Sequence, residues 1–224
     1  MDSTRAAVAP LTTVADRRSP GAIGRQARLE LVFALKRGRT ALVHAYAEPP
    51  HHIGQARSAG RALAVTIVCT GPGVFSGDDL RQSIRVESGA QVLLSSQAAL
   101  QVHAGVRGCD AQVRQRYDVE ADGELHCRWD PVIPFAGARF SQDIDLQLAA
   151  SSRLYWSDAL MSGRVGCGES WASATLSHHL RLSVDDRLTY LERYRLDPPR
   201  PRAVQPWLAA SASFFGTALI YHPA

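Results

Sequence analysis

The stretch Phe140-Ser141-Gln142-Asp143-Ile144-Asp145-Leu146-Gln147-Leu148 decides the fold class. Phe140, Ile144, Leu146 and Leu148 fall on one parity, and Ser141, Asp143, Asp145 and Gln147 on the other. A period of two marks a strand with one face in a core and one in water. The pattern extends outward in both directions. Leu80, Ile84 and Val86, with Gln82 among them, oppose Arg81, Ser83, Arg85 and Glu87; Val113, Tyr117 and Val119 oppose Arg114, Arg116 and Asp118. Leu176, Leu180, Leu182 and Val184 oppose Thr175, Ser177, His179, Arg181 and Ser183. Earlier, Leu29, Leu31, Phe33 and Leu35 alternate with their neighbours, Lys36 to Arg39 turns the chain with Gly38 free to take positive φ, and Thr40 to Tyr46 returns. The continuous apolar run Ala62 to Thr70 reads as a buried strand, and Thr217 to Tyr221 as the last one. Long stripes of period 3.6 are absent, and short helices are expected at most around Gln97 to His103 and Leu160 to Gly163.

A turn grammar repeats along these strands. Val86 to Leu93, Val119 to Leu125, Leu148 to Leu154 and Val184 to Leu188 each read strand, small or acidic turn, strand, with starts 33, 29 and 36 residues apart. Such spacing is a mark of stacked β architecture. The expectation is a mainly β fold: one β-rich domain over residues 23–224, solenoid-like, with few short helices, after a disordered segment at 1–22 that has no period.

Composition excludes several chemistries. Of 25 basic residues only Lys36 is a lysine, and it sits in Lys36-Arg37-Gly38-Arg39. A phosphate-binding loop needs GxxxxGK[ST] and a Schiff-base enzyme needs a buried lysine; neither is present. The arginines are dispersed without aromatic interleaving, which disfavours nucleic acid and suits carboxylate contacts at a protein interface. Cys69, Cys109, Cys127 and Cys167 form no CxxC and are too sparse for a disulfide scaffold, so they read as reduced, mostly buried thiols. Ala203 to Ala224 carries Gln205, Pro206 and Gly216 and is a poor membrane span, reading instead as a loop and a strand; a cytoplasmic, non-membrane protein is the expectation.

The densest motif is Gly71-Pro72-Gly73-Val74-Phe75-Ser76-Gly77-Asp78-Asp79-Leu80. The residues after it alternate like a strand and open no helix, so it is not a dinucleotide loop. Glycines at this density imply a sharp reversal and close approach of other backbone. Asp78 and Asp79 point to opposite sides, and whichever faces inward needs a partner or a cation, unless it caps its own turn. His51-His52 and His178-His179 are adjacent, so on strands neither pair chelates by itself. No GxSxG elbow or exposed electropositive cysteine signals a nucleophile, so no enzyme is expected.

The Gly71 to Leu80 string resembles the Pro-Gly-Gly-x-x-Gly-Gly-Asp-x-Leu stretch of the urease accessory protein UreD family, called UreH in some organisms. Arg28-Leu29-Glu30-Leu31 with Gly38-Arg39-Thr40 is similar to its opening hairpin, and Leu93 to Ala99 to its Leu-Leu-Thr-Thr-Gln-Ala-Ala segment. Trp129 to Arg139, Asp158 to Arg164 with Gly168-Glu169, and Leu191-Glu192-Arg193 come in the family's order, so the likeness covers about residues 24 to 221.

The resemblance implies a β-helix-like fold and a non-catalytic role in nickel delivery. Partners would be the urease apoprotein subunits, UreF and, through UreF, the GTPase UreG. No cofactor would be tightly bound; Ni²⁺ would be in transit through an internal polar passage. Transit favours sparse, exchangeable carboxylates over a His/Cys cage, and the carboxylates at family motif positions are Asp78, Asp158, Glu169 and Glu192. Their alternative role is as arginine-paired carboxylates inside a β core. The chain departs from the family at Leu100 and Gln101, where a hydroxyl residue and a lysine are usual. Members also run on past the stretch resembling Phe215 to Pro223, so the family's C-terminal portion is expected to be missing and an edge left uncovered, with poor solubility away from a partner. Two other readings stay open: a diverged relative that binds partners without conducting nickel, and a β-solenoid hydrolase using Asp78 or Asp158.

Overall fold

The computed structural model describes residues 24–197 and 212–223. The segment 1–22, expected to be disordered, lies outside them, as does much of the expected loop after Ala203. The described strands are β1 (Gln26–Lys36), β2 (Arg39–Ala47), β3 (His51–Ile53), β4 (Arg57–Ala59), β5 (Ala62–Cys69), β6 (Asp79–Val86), β7 (Gln91–Gln97) and β8 (Leu100–Val102). They continue as β9 (Ala111–Val119), β10 (Glu124–Arg128), β11 (Val132–Pro134), β12 (Arg139–Leu148), β13 (Arg153–Met161), β14 (Thr175–Val184), β15 (Arg187–Leu196) and β16 (Phe214–Tyr221).

One sheet runs β15-β14-β12-β9-β6-β1-β2. The other runs β3-β5-β7-β10-β13-β11-β8, with β16 added on β13 and β4 on β5. From β5 to β14 the chain alternates between the sheets, and each circuit adds a parallel strand to both. A parallel pair needs a long crossover; here the crossover is the strand of the opposite sheet. The result is a solenoid-like stack of about four turns, closed by the antiparallel pairs β1/β2 and β3/β5 at one end and β14/β15 and β13/β16 at the other.

The turn spacing in the sequence is the circuit length. Val86 pairs with Val119, Val119 with Leu148 and Leu148 with Val184. The corners stack by backbone bonds: the N–H groups of Glu120, Ala149 and Asp185 donate to the carbonyls of Val86, Val119 and Leu148, each at 2.9 Å. The fourth turn differs from the other three. Asp185 and Asp186 both take positive φ (46° and 60°), and this tight reversal returns β15 beside β14 instead of crossing over.

Inward parity fills the space between the sheets with Leu29, Phe33, Ile84, Tyr117, Leu125, Ile144, Leu146 and Trp156, all at most 1% exposed. At about 1.5–3 kcal/mol per fully buried large aliphatic or aromatic side chain, this burial outweighs any single polar contact in the molecule. Neither expected short helix forms: Leu100 to Val102 is β8, and Leu160 and Met161 end β13. Leu100 to Val102 pairs in parallel with β11, and Leu160 and Met161 pair antiparallel with β16, which overrides their weak local preference. The only helical turn among the described residues is a 3₁₀ turn at Val165–Cys167. The four cysteines are free as expected, yet only Cys127 is buried; Cys69 and Cys109 are half-buried and Cys167 is exposed, because Cys69 ends β5 at the cavity and Cys109 and Cys167 lie outside the strands. No helix among the described residues is long and apolar enough to cross a membrane.

Candidate functional site

Inner parity is broken at one level of the stack. Leu80-Gln82-Ile84 on β6, Val113-Gln115-Tyr117 on β9, Phe140-Gln142-Ile144 on β12 and Leu176-His178-Leu180 on β14 each put a polar side chain between two apolar ones on the core face. Stacking joins them. Gln115 Nε2 donates to Gln82 Oε1 at 3.2 Å, Gln142 Nε2 donates to Gln115 Oε1 at 3.4 Å, and Gln142 pairs in register with His178. This row divides the core into two hydrophobic clusters, one around Tyr117 and Trp156 and one around Val113 and Phe140.

A cavity of about 190 Å³ lies in the layer. Gln82, Gln115 and Gln142 form its wall on one sheet; Ser96, Trp129 and Asp158 form it on the other. Its mouth is the exposed turn Gly71 to Pro72 and the segment Gln97 to Gln101. Five buried side-chain atoms among the described residues have no hydrogen-bond partner: His51 Nε2, Tyr117 Oη, Trp129 Nε1, Trp156 Nε1 and His178 Nε2. All five residues either line the cavity, belong to the polar row, or sit one core-parity position from a residue that does. Tyr117, Trp129 and Trp156 pack together with ring centroids 5.1–6.5 Å apart. A buried polar atom left without a partner costs about 1–3 kcal/mol, and polar cavities of this size hold water. The layer offers unpaired polar partners that a water molecule could satisfy.

The four candidate carboxylates separate into two kinds. Asp78 is 2% exposed and saturated with donors. Arg25 Nη2 lies 2.6 Å from Oδ2, Arg25 N donates to Oδ1 at 2.7 Å, and Phe75 N donates to Oδ2 at 2.9 Å. Burial opposes ionisation, but these donors hold the carboxyl below its usual range. Asp78 is thus the inward aspartate, and its partner is a guanidinium together with its own turn. Glu169 is held the same way: Arg164 makes a two-point pair with it, Nε at 2.9 Å, and Ala136 N donates at 3.1 Å. Arg164 also covers the Phe135 ring at 4.1 Å.

Asp158 and Glu192 come together at the far edge of the layer. Asp158, on β13, lines the cavity and is paired in register with Thr217 of β16. Glu192, on β15, accepts from Thr217 Oγ1 at 3.1 Å and from Tyr190 Oη at 3.0 Å, so it ties the edge strands of the two sheets together. His178 Nε2 stands 4.0 Å from Glu192 Oε1, its ring stacked on Tyr194. Among the described residues no guanidinium pairs with either carboxylate. Burial, with repulsion from Glu192, pushes Asp158 up to about 6; the Trp156 indole N–H pulls the other way but makes no hydrogen bond of normal geometry. Burial lowers His178 and brings His51 down to about 4, so both imidazoles are neutral at neutral pH. Among the described residues no group of three or more His, Cys, Asp or Glu side chains is placed to hold a metal ion. The arrangement places a cavity beside Asp158, with Glu192 near it, and no described arginine neutralises either carboxylate.

The family model described as UreD urease accessory protein matches residues 25–224. The chain belongs to this family. It is 39% identical over 169 residues to "Urease accessory protein UreD" of Sorangium cellulosum (75% of this chain, 54% of that protein) and 32% identical over 199 residues to "Urease accessory protein UreD 2" of Streptomyces griseus (86% and 67%). The corresponding protein of Lysinibacillus sphaericus is 26% identical over 209 residues (92% and 77%). The chain therefore spans about half to three quarters of the curated relatives it matches.

The family motifs pointed to carboxylates, and two of those belong to the polar layer. They did not point to Gln82, Gln115, Gln142 or His178. The usable signal was an apolar-polar-apolar triplet on core parity in four strands, 33, 27 and 36 residues apart (115−82, 142−115, 178−142). The Gly71 to Leu80 motif behaves as its glycines imply: Gly73 has φ 124°, and a Cβ there would come within 2.3 Å of the Gln101 carbonyl oxygen. That carbonyl accepts from Val74 N at 2.8 Å, so the Leu100-Gln101 departure from the family leaves the backbone contact of β8 in place.

Proposed function

We propose that this UreD-family chain is a non-catalytic maturation scaffold of the cytoplasm that binds urease apoprotein and UreF, reaches UreG through UreF, and helps Ni²⁺ pass into the urease active site. The observation that carries the reading is the row of polar side chains and the cavity between the sheets, with Asp158 on the cavity wall and Glu192 tied to the neighbouring edge strand. The ligands there are few, oxygen-rich and set apart, as transit requires; a chelating cage would hold nickel too long. Of the four carboxylates, Asp158 and Glu192 are the two assigned to transit, since the donors around Asp78 and Glu169 are intramolecular guanidinium and backbone groups. Free cysteines suit a reducing compartment.

Co-purification with UreF and the urease subunits tests the scaffold half. Urease activation with Asp158→Asn and Glu192→Gln tests the passage half: both variants are expected to assemble normally and to lower the nickel content of urease. A second reading, partner binding without transport, draws on the sealing of Asp78 and Glu169, and it predicts full activation by both variants. No complex with either partner would reject the scaffold altogether.

A further inference from the structure

His51 and Cys69 stand directly opposite each other across the antiparallel pair β3/β5. Directly opposed residues project from the same face, with Cβ atoms about 4.5–5.5 Å apart. Both side chains line the cavity, at the end away from Asp158 and beside the Gly71 to Gly73 turn. His51 is 6% exposed, and its Nε2 has no hydrogen-bond partner among the described residues. Cys69 is half-buried and carries a free thiol. The pairing is clamped on both sides: His51 N donates to the Glu48 carbonyl at 2.9 Å, and Thr70 donates to the Pro50 carbonyl through N at 2.7 Å and Oγ1 at 3.0 Å. The charged groups that act on Cys69 are Arg25 and Asp78, which neutralise one another, and those that act on His51 are Glu48 and then Arg25.

We propose that His51 Nε2 and Cys69 Sγ form a two-ligand site for a thiophilic, borderline divalent cation at the mouth of the cavity. An aromatic nitrogen with a thiolate selects such a cation over Mg²⁺ or Ca²⁺, which take oxygen ligands. Binding displaces the thiol proton to solvent and forms one metal–sulfur and one metal–nitrogen bond, the remaining positions being filled by water. Two protein ligands leave the ion exchangeable, so the site loads the polar layer and does not store metal. Its role as a loading point rests on the nickel-transit reading; the site itself does not.

The test is a titration of the purified full chain with Ni²⁺ alone, read by thiolate-to-nickel charge-transfer absorption and by protection of Cys69 from alkylation. The expected result is a band that saturates at one equivalent, is lost in Cys69→Ser, and persists in Cys109→Ser, Cys167→Ser and Asp158→Asn. His51→Gln is expected to raise the Ni²⁺ concentration for half-saturation about tenfold or more. Circular dichroism of each variant reports whether it folds, and alkylation protection in the unmodified chain gives a reading that needs no variant. No thiolate band, or a band that survives in Cys69→Ser, overturns the site. The band together with full urease activation by Asp158→Asn overturns the transit reading and leaves the site standing.

Discussion

Asp158→Asn is expected to make the protein more stable at neutral pH while impairing nickel transfer. The Asp158 carboxyl titrates at about 6 in the fold against an ordinary 3.8. It therefore binds its proton more tightly folded than unfolded. Stability from this group is fully present below about pH 4 and is lost as pH rises through 6. At about 1.36 kcal/mol per pKa unit, the displacement corresponds to a penalty of about 3 kcal/mol above pH 7. Asparagine has the shape of the neutral acid, carries no charge to desolvate, and no longer repels Glu192. The variant should thus match the parent near pH 4 and gain up to about 3 kcal/mol by pH 7, or a melting temperature about 6–12 °C higher for a chain of this size. The assay is equilibrium urea unfolding followed by tryptophan fluorescence at pH values from 4 to 8, with the difference between the two proteins plotted against pH. Burial of His51 acts in the opposite sense, since its folded value of about 4 lies below the ordinary 6.5 and removes stability as pH falls; that contribution is common to both proteins and cancels in the difference. A difference that stays flat with pH, or a variant weaker than the parent at pH 7, would refute the account of Asp158 as an uncompensated buried carboxylate. A destabilising charge kept inside a core is the kind of cost that a working site imposes.

Arg25→Ala leaves the Asp78 carboxylate buried with only two backbone donors and should cost about 3 kcal/mol in chemical unfolding. Gly73→Ala forces both a positive φ and a clash with the Gln101 carbonyl, so a loss of at least about 2 kcal/mol is expected by the same measurement. Tyr117→Phe removes a buried hydroxyl that has no partner among the described residues, and is expected to be neutral or to stabilise by up to about 1 kcal/mol, which thermal melting will show. Gln115→Leu leaves Gln82 Oε1 and Gln142 Nε2 without their partner; it should cost about 1–3 kcal/mol in chemical unfolding and lower urease activation in a reconstitution assay.

The strands were legible in the amino-acid sequence because alternation along Phe140 to Leu148 and its neighbours acts over a few residues, and so was the circuit, because Val86, Val119, Leu148 and Val184 repeat the same turn. The fourth turn misled because its residues suit a hairpin as well as a crossover, and only the returning β15 distinguishes them. Glu192 and Asp158 could be singled out through family likeness, but nothing in the chain order shows that an edge hairpin brings them together beside the polar row, or that Asp78 and Glu169 are closed off by Arg25 and Arg164. By itself the sequence determined the period, the turns, the two-faced strands and the family. Tertiary structure alone decided which polar residues share a level, because strand register is set by the sum of packing across both sheets, and that sum links positions some thirty residues apart that have no local means of signalling to each other.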